Sequence, residues 1–463
     1  MAIPPNADQA IALNRFGLGA LADDTAPSDP RQWLLGQISQ YETAPAAFAS
    51  ADSSAQILSQ YREDRADLKA DAKDDDADAK AAAMKALRQK GQELYRAEVA
   101  MRVAAALATP TPFLERLVHF WANHFAVSAD KPQVTILAGA FEREAIRPHV
   151  LGRFEDMLMA VERHPAMLFF LDQARSAGPN SKLADRVQRN GNKRKIGINE
   201  NLAREIMELH TLGVRTGYTQ ADVTQFALAL SGWSIGGLNA RTEGDETAGF
   251  KFRPPLHEPG PKTIIGKTYP QQGEGQARAV LHDLASSDAT ALHLATKLAR
   301  HFIADDPPAE AVAALQAAFI SSRGDLPTVY HTLIDLKAAW TPQPVKFKTP
   351  WEWTVSALRG LGITTVADMP VAPMLNQLGQ PVWRPRSPAG YDDIAASWAA
   401  PDALVRRVEV AQRLTRKLDL DPRQLAPRIL PAVSTMTATE VGRAESLRTG
   451  LALLIVSPDF QRR

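Results

Sequence analysis

Apolar residues along this 463-residue chain recur with a helical period far more often than with the alternation of a strand. Trp33, Leu34, Leu35 and Ile38 make one apolar stripe behind Asp29-Pro30, a pair suited to a helix entry. A charged, alanine-rich run at 62–80 leads into "MKALRQKGQELYRAEVAMRVAAALA". The segment 62–108 therefore reads as a charged long helix or a protruding helical arm, stopped by "TPTP" at 109–112. Further helices are predicted over 113–127, twice within 138–175, over 198–212 with Gly213 just past the end, and after Thr219, whose capping position is supported by Asp222. The polar stretch 176–197 reads as a loop. Residues 235–275, rich in Gly, Pro and Thr, are the only β-prone region and suggest a minor β-hairpin near 248–270. From 276 onward amphipathic segments follow one another across short Pro-containing breaks, apart from an irregular Pro/Gly/Trp-rich piece at 380–400. There is no repeat of about 20–50 residues and no clear linker. The pattern predicts an all-α fold, a large multi-helix single domain over 1–463 with that hairpin as its β element.

Composition narrows the chemistry. Lysine plus arginine number 53 against 52 aspartates and glutamates, which argues against a general nucleic-acid binder. There is no cysteine, so disulfides, thiolate catalysis, iron–sulfur clusters and cysteine-based zinc sites are excluded. A metal would have to use His, Asp, Glu, Asn or backbone oxygen. No run reaches the roughly 18–20 apolar residues of a membrane span. The opening "MAIPPNADQAIALNRFGLGA" lacks the basic and apolar regions of a signal peptide. A cytoplasmic location is expected for the sequence as written, and a periplasmic or exported one if a leader has been removed.

Three polar stretches stand out. In "NENLAREIMELHTLGV", 199–214, Asn201, Glu205 and Glu208 fall within about 60° of one another on an ideal helix. Arg204 stands at i,i+4 to Glu208, a salt-bridge spacing, and Leu202, Ile206 and Leu209 form the packing face. His210 points roughly away from Asn201, unless the last turn unwinds and redirects it. In "HFWANHF", 119–125, Glu115, His119 and Asn123 form a polar strip, and His124 lies about 140° from His119. The two histidines thus miss the i,i+4 spacing of zinc-protease helices, and the chain has no H-E-x-x-H. In "RPPLHEPGPKTIIGK", 253–267, His257 sits in a Pro/Gly loop with Glu258 and Lys262. P-loop and G-x-S-x-G motifs are absent, and "RFGLGA", with Gly17 and Gly19, reads as a tight turn. The pieces could assemble a His/carboxylate metal site. The alternative is a buried network of Arg204, Glu205 and Glu208 with one satisfied histidine.

The blocks "ALNRFGLGA", "FWANHFAVS", "REAIRPHVLGRFEDML", "HPAMLFFLD", "GINENLAREIMELHTLGVRTGYTQADV", "LALSGWS", "HEPGPKTIIG" and "SPDFQRR" occur in this order. Together they closely resemble the bacterial domain-of-unknown-function family 1800, over about residues 11–463. The resemblance places family motifs on Phe120, Trp121, Asn123, His124 and Phe125; on Asn199, Asn201, Arg204, Glu205, Glu208 and His210; and on His257, Glu258, Gly260 and Lys262. Glu258 stands where aspartate is common, and His119 lies outside the motif core. Members are often exported and often encoded beside an uncharacterised, sulfatase-like family, which makes such a protein a candidate partner. This chain departs in lacking a recognisable export signal.

The leading expectation is an enzyme cleft where the three motifs meet. His124, Glu205, His210 and His257 would hold one divalent metal, Glu205 and Glu208 would supply acid–base chemistry, and Arg204 or Lys262 would bind an anionic group. Hydrolysis and oxidation are not separated, nor is a small-molecule substrate from a polymer. One alternative is a metal-free carboxylate hydrolase acting on glycans through Glu205 and Glu208. The other is a non-catalytic helical binding or assembly protein whose polar motifs hold its core.

Overall fold

A computed structural model of the protein describes residues 6–23, 26–71, 77–190, 197–237, 248–430 and 433–463. Helices dominate, and β structure among these residues amounts to two small antiparallel hairpins and two isolated bridges. The fold class is all-α, as the periodicity predicts.

The helix Pro112–His124 runs through the interior. Proline at its first position follows the "TPTP" stop and is compatible with a helix start, where the missing N–H has no partner to lose. Phe113, Leu114, Leu117, Val118 and Trp121 are fully buried, each contributing roughly 1.5–3 kcal/mol by leaving water. Its polar residues other than the half-buried Asn123 are buried as well, so its charges must find partners inside. Glu115 accepts two hydrogen bonds from Arg147, at 2.6 and 2.7 Å, and Arg116 pairs with Glu352. The helix Pro350–Gly360 is buried along its whole length and begins with a capping box of Thr349 and Glu352. Phe16, Phe113, Phe302, Tyr330 and Trp340 join neighbouring segments through edge and stacked ring contacts. The buried apolar side chains form one continuous cluster.

Several local expectations are met. Asp29 caps the helix Pro30–Gln40 and Thr219 forms a capping box with Asp222. "RFGLGA" is a turn: Gly19 has φ +100°, and a side chain there would collide with Ser356. The Gly17 and Gly19 carbonyls accept hydrogen bonds from Arg116 and Arg359.

Others are refined. The 62–108 segment belongs to two helices, Ser54–Asp71 and Ala77–Ala108, with 72–76 outside the described residues. Val99, Val103 and Ala106 of the second are fully buried against the core, so its later half is not a solvated arm. The stretch 176–197 holds the helix Lys182–Arg189, capped by Ser181, while 191–196 lie outside the described residues. The β region has two hairpins rather than one. β1 (Trp233–Gly236) pairs with β2 (Gly249–Phe252), and β3 (Lys262–Ile264) pairs with β4 (Lys267–Tyr269). The second turns through Ile265 and Gly266, both at positive φ, as a two-residue hairpin turn requires. Among the described residues no helix is long and apolar enough to cross a membrane.

Candidate functional site

The motif helix departs from ideal geometry where its chemistry begins. Asn201–Glu205 is α-helical, but Ile206–His210 widens into a π turn. The wider turn rotates the later side chains about the helix axis, so His210 faces inward and is fully buried. Its Nδ1 lies 2.7 Å from Glu162 Oε1, a carboxylate that is itself fully buried. The same rotation removes Glu208 from the i+4 position over Arg204. Arg204 instead donates to Glu200, one turn earlier, at 3.1 Å and to Gln220 at 2.9 Å. The expected Arg204–Glu208 pair is therefore replaced. Glu205 and Glu208 are half-buried. Burial raises the Glu205 pKa, while nearby His210 pulls against it.

The loop motif is a clasp. Lys262 is buried and donates to the carbonyl oxygens of Glu258, Pro259 and Gly260, at 3.2, 3.0 and 2.6 Å. The ammonium expected to bind a substrate anion is thus spent on holding its own loop. Glu258 accepts from the backbone and side chain of Asn180, and His257 Nδ1 lies 2.8 Å from the Ser231 carbonyl oxygen.

Of the expected ligands, His124 and His210 do meet. His124 Nε2 donates to the His210 carbonyl oxygen at 3.1 Å, and the two rings lie 6.3 Å apart. No hydrogen bond or ion pair among the described residues joins His257 to them. Among these residues no group of three or more His, Asp or Glu side chains is placed to hold a metal ion.

A different constellation lines a cavity of about 210 Å³, smaller than the roughly 300–1,000 Å³ of drug-sized ligand sites. Of the sequence-predicted site residues only His124 reaches it; the rest of its wall includes His119, Lys297, Arg300, His301, Trp351, Glu352, Tyr391 and Asp393. The helix Asp288–Phe302 supplies the central groups. Leu294, Leu298 and Phe302 bury its apolar face, and His293, Lys297, Arg300 and His301 share the other at helical spacing. His301 Nδ1 lies 2.5 Å from Asp393 Oδ2, while its Nε2 has no hydrogen-bond partner. Asp393 comes from the irregular segment after 380 and also pairs with Lys346, at 3.2 Å.

The wall beneath is a charge network. Glu352 Oε1 receives both Arg116 and Arg463, the latter at 2.7 Å, and Arg463 also donates to the His301 carbonyl oxygen at 2.9 Å. Burial alone would raise the Glu352 pKa, but the two guanidiniums hold it well below the usual range. Asp393 is likewise held low, because His301 and Lys346 outweigh its burial. Burial lowers the His301 pKa against the pull of Asp393, so the neutral imidazole is favoured at pH 7. His119 donor and acceptor roles are fixed too: its Nδ1 accepts from Trp351 Nε1 at 3.1 Å, and Nε2 lies 3.3 Å from Glu115.

Two cations in the cavity remain available. Lys297 makes no hydrogen bond or ion pair among the described residues, and burial lowers its pKa to about 8. Arg300 uses Nε to hold the Asp305 carbonyl oxygen at 3.1 Å, and its terminal nitrogens have no partner among the described residues. Glu352 and Asp393 are each claimed by two cationic or imidazole groups, and Asp392, also on the wall, accepts from the Ser397 hydroxyl, so the two cations outnumber the one carboxylate left without an ion pair among the described residues.

A second cavity of about 70 Å³ shares His119, Asn123, Trp351, Gln380 and Tyr391 with the first. Trp383, Val382, Ala126 and Val127 give it an apolar wall, and Arg102 stacks 4.1 Å over Trp351. The sequence motifs do not include Lys297, Arg300, His301 or Asp393. One signal was available: four basic side chains at 293, 297, 300 and 301 fall on one helical face with no acid among them.

Comparison with known proteins adds a family. The sequence model of the family described as "Protein of unknown function (DUF1800)" matches residues 11–462. No match was found among curated proteins or solved structures.

Proposed function

This chain belongs to the DUF1800 family, and we propose that the cavity on the basic face of the Asp288–Phe302 helix is the active site of an enzyme. It binds a small anionic substrate and moves a proton through His301. The observation that carries this reading is the Asp393–His301 pair: a carboxylate fixes Nδ1, and the unpartnered Nε2 belongs to a ring that lines the cavity. A base oriented by a third group and held neutral is the arrangement general acid–base catalysis uses. Arg300 supplies a guanidinium for a carboxylate or phosphate, a group it can bind in two-point fashion. The buried Arg116–Glu352–Arg463 network holds the wall in place, so the reacting groups need little reorganisation. No divalent ion is needed for this step, and no observation favours Glu205 and Glu208 as a glycan-cleaving pair.

Ligand-induced thermal shifts with a panel of small carboxylates, phosphate and sulfate, combined with diethylpyrocarbonate labelling, test the proposal. The expected result is stabilisation by at least one anion, lost in Arg300→Met, with His301 acylated in the free protein and protected by that anion. Melting temperatures unmoved by every anion, with His301 no more reactive than His210, would refute it. A non-catalytic binding protein would show the same stabilisation, but His301→Gln would leave every measured property of the bound ligand unchanged.

A further inference from the structure

We propose that Lys297 is a covalent catalyst of the same cavity, capturing the carbonyl carbon of a 2-oxo acid as an imine. The inference deepens the reading of the cavity as an anion-binding, proton-transferring site and rests on it.

The fully buried Lys346 pairs with Asp305 at 2.6 Å and the fully buried Lys262 donates to three carbonyl oxygens. Lys297 is half-buried on the cavity wall and makes no hydrogen bond or ion pair among the described residues, although Asp393 lies near enough to act on its charge. Its neighbours on the helix are the groups such chemistry needs. Arg300 follows at i+3 and His301 at i+4, so all three project from one face within about one turn. Arg300 can hold the carboxylate of a 2-oxo acid, which sets the adjacent carbonyl beside the lysine. Burial lowers the Lys297 pKa most; the nearby Asp393 carboxylate pulls it back up, and Arg300 lowers it, as a neighbouring cation does for an amine kept uncharged near neutral pH.

The step balances without redox. The uncharged Lys297 amine adds its lone pair to the carbonyl carbon, and the C–O π electrons move to oxygen. His301 Nε2 takes a proton from the attacking nitrogen and passes it to the alkoxide, giving the carbinolamine, and then carries the second nitrogen proton to the hydroxyl as it departs. The C–O bond breaks, one water leaves and a C=N bond remains. Asp393 keeps His301 in the tautomer that presents a bare Nε2.

The volume of about 210 Å³ suits a short acid, and the adjoining apolar chamber between Trp351 and Trp383 suits a side chain on it. Substrates with an apolar or aromatic group beyond the carbonyl are therefore expected to be captured better than pyruvate.

Incubation of the intact protein with pyruvate or phenylpyruvate and sodium cyanoborohydride, followed by intact-mass measurement and peptide mapping, tests the proposal. One reductively attached acid is expected, on Lys297, formed at pH 7 roughly tenfold or more faster than on any surface lysine, since the gain in free amine outweighs the loss of intrinsic nucleophilicity. Lys297→Arg should abolish that adduct while folding normally, because it keeps the charge. Arg300→Met should slow capture of the oxo acids but not of propionaldehyde, which has no carboxylate. Labelling of Lys297 no faster than surface lysines overturns the proposal. If carboxylates still stabilise the wild type through Arg300 in that case, only the covalent role falls. If they do not, the reading of the cavity falls with it.

Discussion

Of the carboxylate–imidazole pairs in the interior of this protein, two share one geometry, Glu162 with His210 and Asp393 with His301. In each a carboxylate oxygen meets Nδ1 at short range, 2.7 and 2.5 Å, and in each the opposite nitrogen has no hydrogen-bond partner. Their surroundings separate them. The first belongs to the motif the sequence marks most strongly, yet His210 lies among Phe125 and His124 and lines neither of the two adjoining cavities. The second comes from two segments outside the motifs, and it lines a cavity beside a lysine and an arginine that form no ion pair among the described residues. Both Nε2 atoms are shielded from solvent, but only the His301 ring is part of a cavity wall: the first pair fixes a helix end to a core, and the second stands where a bound substrate can meet it. Position decides, more than residue type.

The comparison requires the cavity pair to have a rigid wall, and the largest effect is expected there. Glu352→Gln keeps the shape of the side chain but leaves Arg116 and Arg463 buried without a counter-charge. Removing one member of a buried ion network costs on the order of 3–5 kcal/mol, so urea unfolding should show a loss of that size. A loss below about 1 kcal/mol would mean that water reaches these guanidiniums, and the cavity wall would then be softer than described.

Protons offer a second way to sharpen the contrast, because buried neutral histidines resist acid only at a cost. His119, on the wall shared by both cavities, has its pKa lowered to about 4 by burial and by Arg102. Unfolded, it titrates near 6.5, so between these values the unfolded chain binds the extra proton. The contribution of His119 to stability is complete above about pH 6.5 and is lost as pH falls through 4. Over that window the loss is up to about 3 kcal/mol. Chemical denaturation at pH 7 and at pH 4.5 should show it, and His119→Gln, which can still accept from Trp351, should have a flatter profile.

The direct test swaps each carboxylate for its amide. Glu162→Gln should lower stability by about 1–3 kcal/mol, since a sealed imidazole loses its charged acceptor, and should leave anion binding unchanged. Asp393→Asn should cost less, because Lys346 keeps Asp305. It should nevertheless slow imine capture about tenfold or more, since an amide favours the wrong tautomer of His301. Equal losses of stability with unchanged capture would erase the distinction between the pairs.

The range of each interaction decides how legible it is in the sequence. Helix positions, the Asp29 and Thr219 caps and the Gly19 turn depend on neighbouring residues, and these were legible. The π turn at Ile206–His210 was not, because an ideal rotation per residue cannot anticipate an inserted position; this one irregularity moved His210 inward and Glu208 away from Arg204. The basic stripe on Asp288–Phe302 was visible in principle, but a solvated helix carries the same pattern. What distinguishes it is Asp393, 92 residues from His301, and a spacing of that length holds no information on pairing. The loop motif was legible as polar and specific, yet its lysine answers a local need, three carbonyls within four residues, rather than a ligand.

The smallest effect is expected at Arg204, on the helix that carries the sealed pair. Had it bridged buried carboxylates, its removal would have cost several kcal/mol. Arg204 and Glu200 are instead 37% and 29% exposed, and Gln220 donates to the same Glu200 oxygen at 2.8 Å. Water and Gln220 can both replace the lost guanidinium. Thr224 also donates to the other oxygen of Glu200 at 2.6 Å, so the carboxylate stays satisfied without the arginine. Arg204→Ala should therefore change stability by under about 1 kcal/mol, less at high salt, and leave anion binding at the cavity untouched. A loss of several kcal/mol would show that this face is buried against something beyond the groups described, and would return the motif helix to the centre of the functional question.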